Sequence, residues 1–319
     1  MGELWVDTDL GFDDIHALLL LHCHGIKPVA HSLVFGCATL DKVIGNAHGV
    51  EQAFDFGSRW HSGAATALDG QCRTASHILG ENGMLSRGLT LPGNESNGNA
   101  LLQKDTAVQA MVNWLNSHPD KPHILALGPL TNLAQLIRKA PELAATVSQI
   151  TWMGGSAGRG NQTVYAEFNA WADPHAAAIV MSSGIRVHMV ELEACRKLQL
   201  LPQDVEQLSG VQTPLARLLQ DLLGGYLDIG LSRGRSGMAL YDPLAAAAVI
   251  LDNDILGSLP VQISVETTDS EQAGRTHISA VGDSTENVHS LCVINDASAV
   301  HELIIDALIH TATGERELP

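Results

Sequence analysis

The chain has 319 residues, of which 45% are hydrophobic and only 4% aromatic, a balance that suits Ala/Leu-rich helices on a Val/Ile sheet. That length suits one large α/β domain and is ample for a full core. The formal charge of −17 argues against DNA, RNA and anionic membranes as partners.

In chain order, short apolar runs predict strands at Leu4–Val6, Val29–Phe35, His123–Leu127, Ile150–Met153 and Val187–Val190, with later ones at Val261–Val265 and Val288–Ile294. Between them lie stretches of helical period at Asp14–His24, Asp41–Phe56, Asp105–Asn116, Leu130–Arg138 and Pro174–Ser182. This alternation reads as repeated βαβ units, hence a mainly parallel sheet with helices on both faces, in a single domain spanning 1–319. Gly80–Ala100 is rich in Gly, Asn and Ser without apolar period, and is expected to be a mobile loop with few buried contacts that closes over a ligand. Cys23, Cys37, Cys72, Cys195 and Cys292 are odd in number, far apart and free of zinc spacing, which favours reduced thiols and a cytoplasmic protein. No signal-peptide pattern precedes the first strand, and the apolar run Ala17–Leu21 is too short for a bilayer.

The chemistry concentrates first in Asp7-Thr-Asp9-Leu-Gly11-Phe-Asp13-Asp14, directly after Leu4–Val6. Ligands of parallel sheets bind beyond the carboxyl ends of strands, where this cluster falls. Helix capping explains one or two such aspartates, but four so close together repel unless a cation neutralises them. Oxygen-only ligands favour Ca²⁺ or Mg²⁺. A second group, Ala166-Glu167-Phe168-Asn169, follows Met153-Gly-Gly and Asn161; its carboxylate and amides suit the hydroxyls of a polyol such as ribose. The third is Tyr241-Asp242-Pro243-Leu244, opening an Ala-rich helix. Asp173-Pro174 opens another in the same way, so sequence alone leaves open which aspartate also binds metal. Gly128-Pro-Leu-Thr-Asn132 is similarly ambiguous as a strand-to-helix turn.

Taken together and in this order, these motifs resemble the inosine–uridine-preferring nucleoside hydrolase family. The resemblance implies a single α/β domain with a Rossmann-like core, a bound Ca²⁺, a small ribonucleoside as partner, and a homodimer or homotetramer. Carried over by position, it assigns Asp9, Asp14, Asp242 and the Leu127 carbonyl to the metal, with Asp9 also the general base. Asp7 would lie just behind Asp9 and fix its orientation. Asp13, Asn161, Glu167 and Asn169 would bind ribose, with Met153 and Cys37 beside the substrate. The chain departs from the family pattern at Leu10, where proline is usual, and at Cys37, where asparagine is usual. Leu79 and Tyr241 stand where the family's base-side histidines are expected, so His77, Tyr226, Arg233 and Tyr241 are the residues left for the base side. Two rivals remain: a ribosyl-binding protein without efficient turnover, and a haloacid-dehalogenase-like phosphohydrolase using Asp7 and Asp9.

Overall fold

Strands β1 (Leu4–Thr8), β2 (Ala30–Leu33), β3 (Trp60–Ser62), β4 (His123–Ala126), β5 (Gln149–Met153) and β6 (Val187–Val190) run parallel in the spatial order β6-β5-β4-β1-β2-β3 in the computed structural model, which describes residues 2–93, 101–281 and 289–314. A two-stranded antiparallel ribbon joins β7 (Gln199–Leu200) to β8 (Met238–Ala239). The main sheet is completed by β9 (Leu256–Val265), β10 (Thr276–Ala280) and β11 (His289–Ile294). There β11 extends β6 in parallel, while β9 runs antiparallel to both β11 and β10. The sequence expectation of a mainly parallel α/β domain therefore holds. The apolar runs missed β3, β7, β8 and β10, because β3, β7 and β8 are two or three residues long and the alternate residues of β10 stand toward solvent.

Because successive strand residues point to opposite faces, the sheet divides its apolar side chains between two layers. Leu4, Val6, Leu125 and Leu127 face one core, and Trp5, Ile124, Ala126 and Trp152 face the other. On the first side lie α1 (Phe12–Cys23), α2 (Leu40–Phe54) and the short α3 (Ser76–Leu79). The second side is covered by α4 (Ala107–Asn116), α5 (Thr131–Lys139), α6 (Pro141–Ala144), α7 (Phe168–Ala172) and α8 (Pro174–Met181). The chain then returns to the first side with α9 (Leu192–Cys195), α10 (Pro202–Gln207), α11 (Pro214–Leu231), α12 (Asp242–Ile250) and α13 (Ala297–Thr313). Buried residues surround almost the whole circumference of α1, as its unbroken Ala17–Leu21 run requires of a helix with partners on every side. No helix of the described residues is long and apolar enough to cross a membrane, and all five cysteines are free thiols.

This topology positions the site. After β1 the chain builds β2 and β3 on one side, then crosses to place β4 on the other. The helix after β1 packs on one face of the sheet and the helix after β4 on the opposite face. The two connections therefore diverge and leave a crevice at the carboxyl ends of β1 and β4.

The segment expected to be a loop with few contacts is docked over residues 80–93. The guanidinium of Arg87 pairs with Asp228 of α11 at 2.7 Å, and the backbone N–H groups of Arg87 and Leu89 both donate to Asp221 at 2.9 Å. Leu91 is buried in the first core, and the Asn82 carbonyl accepts from Asn46 at 2.8 Å. Residues 94–100, the remainder of that expected loop, lie outside the described residues.

Candidate active site

The acidic turn after β1 is shaped by its own backbone. Leu10 adopts a left-handed φ of 44°, an unusual conformation for a branched side chain. It reverses the chain so that the Leu10 N–H donates to the Thr8 hydroxyl at 3.0 Å. That hydroxyl in turn donates to Asp14, whose other oxygen accepts the Gly11 N–H at 2.8 Å. Asp14 is thus held at the first turn of α1, near the positive end of the helix dipole. Asp9 is fixed from β2's side: its Oδ2 accepts the Cys37 N–H at 2.6 Å. A Cβ on Gly36 would stand 2.0 Å from that same oxygen, so only glycine lets this backbone close on the Asp9 side chain.

Asp7 differs from the expected role. It is fully buried, and its Oδ1 accepts from Ser32 and, at 2.8 Å, from Asn132 of α5. It is tied to β2 and α5 rather than to Asp9, and it does not line the cavity. Asn132 also donates to the Leu33 carbonyl at 3.1 Å and accepts the Ala64 N–H at 2.8 Å. The Gly128–Asn132 turn therefore braces the strands behind the site.

Asp242 reaches the crevice from the first turn of α12. Carboxylate oxygens of Asp13, Asp14 and Asp242 lie within 4.8 Å of one another, as do ligand atoms of Asp9, Asp14 and Cys37. Burial, followed by the negative charges of its neighbours, drives the carboxyl groups of Asp9 and Asp242 well above the ordinary range. Asp13 is pushed up to about 7 by burial and by Asp14. The Leu127 carbonyl lies at the end of β4 on the wall of the same cavity. This crowded, oxygen-rich donor set fits a hard divalent cation, which removes the repulsion that otherwise makes it costly. The other Asp–Pro pair is purely structural: Asp173 accepts from Ala176 N–H at 3.0 Å, Leu68 N–H at 2.8 Å and the Thr131 hydroxyl at 2.7 Å.

Another part of the cavity lining consists of Asn161, Glu167 and Asn169, with Met153. Glu167 caps α7: its oxygens accept the N–H groups of Asn169 at 2.8 Å, Ala170 at 3.1 Å and Gly155 at 2.8 Å. Burial nevertheless pushes its carboxyl up to about 7. The amide of Asn169 donates to the Leu127 carbonyl at 2.9 Å and the Met153 carbonyl at 3.0 Å. Both of its hydrogens are thereby used, and the group it can still offer is the acceptor Oδ1. Asn161 is the reverse case. Its Oδ1 accepts the Phe168 N–H at 2.9 Å, which leaves Nδ2 as a donor. A donor amide and an acceptor amide on one wall, across from carboxylates, match adjacent hydroxyl groups.

On the remaining side, Tyr226, Arg233 and Tyr241 line the cavity as expected, together with Cys37. The expectation for His77 is corrected: it is exposed and does not line this cavity. Its helical turn puts Ala75, Ile78 and Leu79 on the cavity face and His77 on the other. The hydroxyl of Tyr226 is engaged by the Ala239 carbonyl at 3.0 Å and Asp13 at 3.3 Å. The Tyr241 hydroxyl bonds none of the described residues, and burial pushes it up to about 12. Sequence reasoning missed Arg235, Gln162 and Met238, which also face the cavity. The first two adjoin residues already singled out, Arg233 and Asn161.

Residues 4–302 match a family model described as inosine-uridine preferring nucleoside hydrolase. The chain is 31% identical over 275 residues to the pyrimidine-specific ribonucleoside hydrolase RihA of Shewanella baltica (strain OS185), covering 85% of this chain and 84% of that one. Among solved structures it resembles a purine-preferring ribonucleoside hydrolase from Gardnerella vaginalis, with a TM-score of 0.88, 22% identity, and coverage of 98% and 99%. The plant nucleoside hydrolase PpNRh1 superposes with a TM-score of 0.86 at 23% identity, covering 97% and 99%.

Proposed function

Since the chain belongs to the inosine-uridine preferring nucleoside hydrolase family, we propose that it hydrolyses the N-glycosidic bond of a ribonucleoside, giving ribose and free base, with a bound Ca²⁺. The observation that carries this reading is one cavity with Asp9, Asp13 and Asp242 on its floor and Asn161, Glu167 and Asn169 on its wall. In it Asp9, Asp14, Asp242 and the Leu127 carbonyl would hold the cation, which when bound would lower the pKa of a water and offset the repulsion among the carboxylates.

Asp9, its plane set by the Cys37 N–H, takes the proton from the attacking water. The water oxygen bonds to the anomeric carbon as the base leaves with the electrons of the C–N bond. Asp13, Asn161, Glu167 and Asn169 hold the ribose hydroxyls, and the negative floor stabilises the oxocarbenium-like transition state. The haloacid-dehalogenase-like alternative needs Asp7 as a nucleophile, which is difficult for a side chain buried between Ser32 and Asn132. The same reading takes the protein as a cytoplasmic homodimer or homotetramer.

Protonation of the departing base is the step with least support from side chains. Leu79 and Tyr241 occupy the positions of the expected histidines, and a phenol held near 12 is a weak acid at neutral pH. Losing general acid assistance costs about 10²–10⁴-fold in rate. Kinetics should therefore show slow cleavage of inosine and uridine but faster cleavage of nitrophenyl riboside, whose leaving group needs no proton. Equal rates would mean that another residue supplies the acid. Tight ribosyl binding without cleavage of any substrate would establish the binding-protein reading instead.

A further inference from the structure

A second cavity opens beside the first and shares Asn161, Arg235 and Tyr241 with it. Its lining adds Arg159 and Arg196, so three arginines border it on a chain with only 18 basic residues against 35 acidic ones.

The three are not equivalent. Arg196 is already committed: it donates to Glu193 and to the Arg159 carbonyl, both at 2.7 Å, and to the Gly160 carbonyl at 3.2 Å. Glu193 is occupied in turn by Arg196, the Ser156 hydroxyl and the Ala157 N–H, which it shares with Glu191. This clamp fixes the backbone that carries Arg159. The guanidinium groups of Arg159 and Arg235 make no hydrogen bond or ion pair with any of the described residues. Arg235 acts on the cavity between them, since its charge, like that of Arg196, partly offsets the rise in the Tyr241 hydroxyl.

An anion approaching so acidic a protein is repelled unless a local positive field receives it. Two unpaired guanidinium groups offer that field, in a donor geometry that matches phosphate or carboxylate oxygens. Resting on the nucleoside-hydrolase reading, we infer that Arg159 and Arg235 form an oxyanion subsite, and that the substrate is a nucleoside carrying a phosphate or carboxylate where it emerges between Asn161 and Tyr241. A phosphate would sit on the sugar and a carboxylate on the base.

The test is calorimetric titration of the metal-loaded protein with ribose and ribose 5-phosphate, paired with steady-state kinetics. The kinetic panel contains uridine, uridine 5′-monophosphate and a uridine bearing a ring carboxylate. The subsite predicts that one anionic form binds roughly tenfold or more tighter than its neutral counterpart, as a charge-assisted hydrogen bond implies. In the Arg159→Gln/Arg235→Gln double variant that ratio should collapse toward one. Preference for ribose 5-phosphate and the monophosphate places the anion on the sugar; preference for the ring carboxylate alone places it on the base. Neutral and anionic forms binding equally to the unaltered protein would overturn the subsite, as would a preference that survives in the double variant. If no nucleoside is cleaved, the hydrolase reading fails. The titrations then decide the sugar-phosphate arm, and competition by the carboxylated nucleoside for ribose binding decides the other.

Discussion

The two walls of the central cavity meet their polar groups in opposite ways. On the wall of Asn161, Glu167 and Asn169, the backbone already supplies partners: one for Asn161, two for Asn169 and three for Glu167. That wall is assembled before any ligand arrives, and what each amide can still offer is settled by the bonds it has made. The floor of Asp9, Asp13, Asp14 and Asp242 crowds four carboxyl groups together; burial drives all four upward, and the charge of acidic neighbours adds to the rise of Asp9, Asp13 and Asp242. Such a floor gains stability from a cation, whereas the wall has little to gain. Preorganisation by hydrogen bonds and preorganisation by charge therefore have different signatures under mutation.

The largest difference should come from Asp9→Asn. The amide keeps the shape but cannot take the water's proton, so turnover should fall by about 10²–10⁴-fold or more. With chelator present, the same change should raise the melting temperature, because a repelling buried charge is gone. A variant that binds Ca²⁺ as the unaltered protein does and keeps near-normal turnover would end the assignment of Asp9 as base.

Metal removal sharpens the contrast. Adding Ca²⁺ at about 1,000 times its dissociation constant stabilises the folded state by about 4 kcal/mol, so chelation should lower the melting temperature by several degrees. The response should shrink in Asp242→Asn and persist in Glu167→Gln. Scanning calorimetry showing equal responses in both variants would erase the distinction between floor and wall.

Leu10→Pro, which installs the residue usual in the resembling family, probes the turn that shapes the floor. Proline holds φ near −65° and has no N–H. The present turn needs a φ of 44° and uses that N–H on Thr8. A loss of about 3 kcal/mol or more is expected, together with weaker metal binding by titration. Unchanged stability and affinity would show that the turn has a second, equally good conformation.

The smallest effect belongs to the wall. In Glu167→Gln one oxygen becomes a donor facing the N–H of Gly155, Asn169 or Ala170. An orphaned buried N–H costs about 1–3 kcal/mol, and denaturant titration should find the same loss with and without Ca²⁺. A loss seen only with metal bound would mean that Glu167 belongs electrostatically to the floor.

Much of this molecule was legible in the chain itself. Apolar runs and helical periods specify local structure through side-chain alternation and burial, and they located most strands of the parallel sheet and the helices between them. The crowding of Asp7, Asp9, Asp13 and Asp14 after the first strand likewise pointed to the crevice, because strand ends in parallel sheets carry the ligands. Tertiary structure decided matters that depend on distance across the fold. It separated Asp242, which joins the acidic floor, from Asp173, which caps its helix and ties it to Leu68 and Thr131, although both precede proline at the start of an Ala-rich helix. It moved Asp7 from beside Asp9 to the brace formed by Ser32 and Asn132. The rotation of one short helical turn placed Leu79 rather than His77 against the cavity. Arg159, Arg196 and Arg235 came together from two distant loops and the end of α9. Local sequence patterns encode periodicity and turn chemistry; which of two similar residues meets a third, a hundred positions away, is set only when the sheet closes and the helices pack.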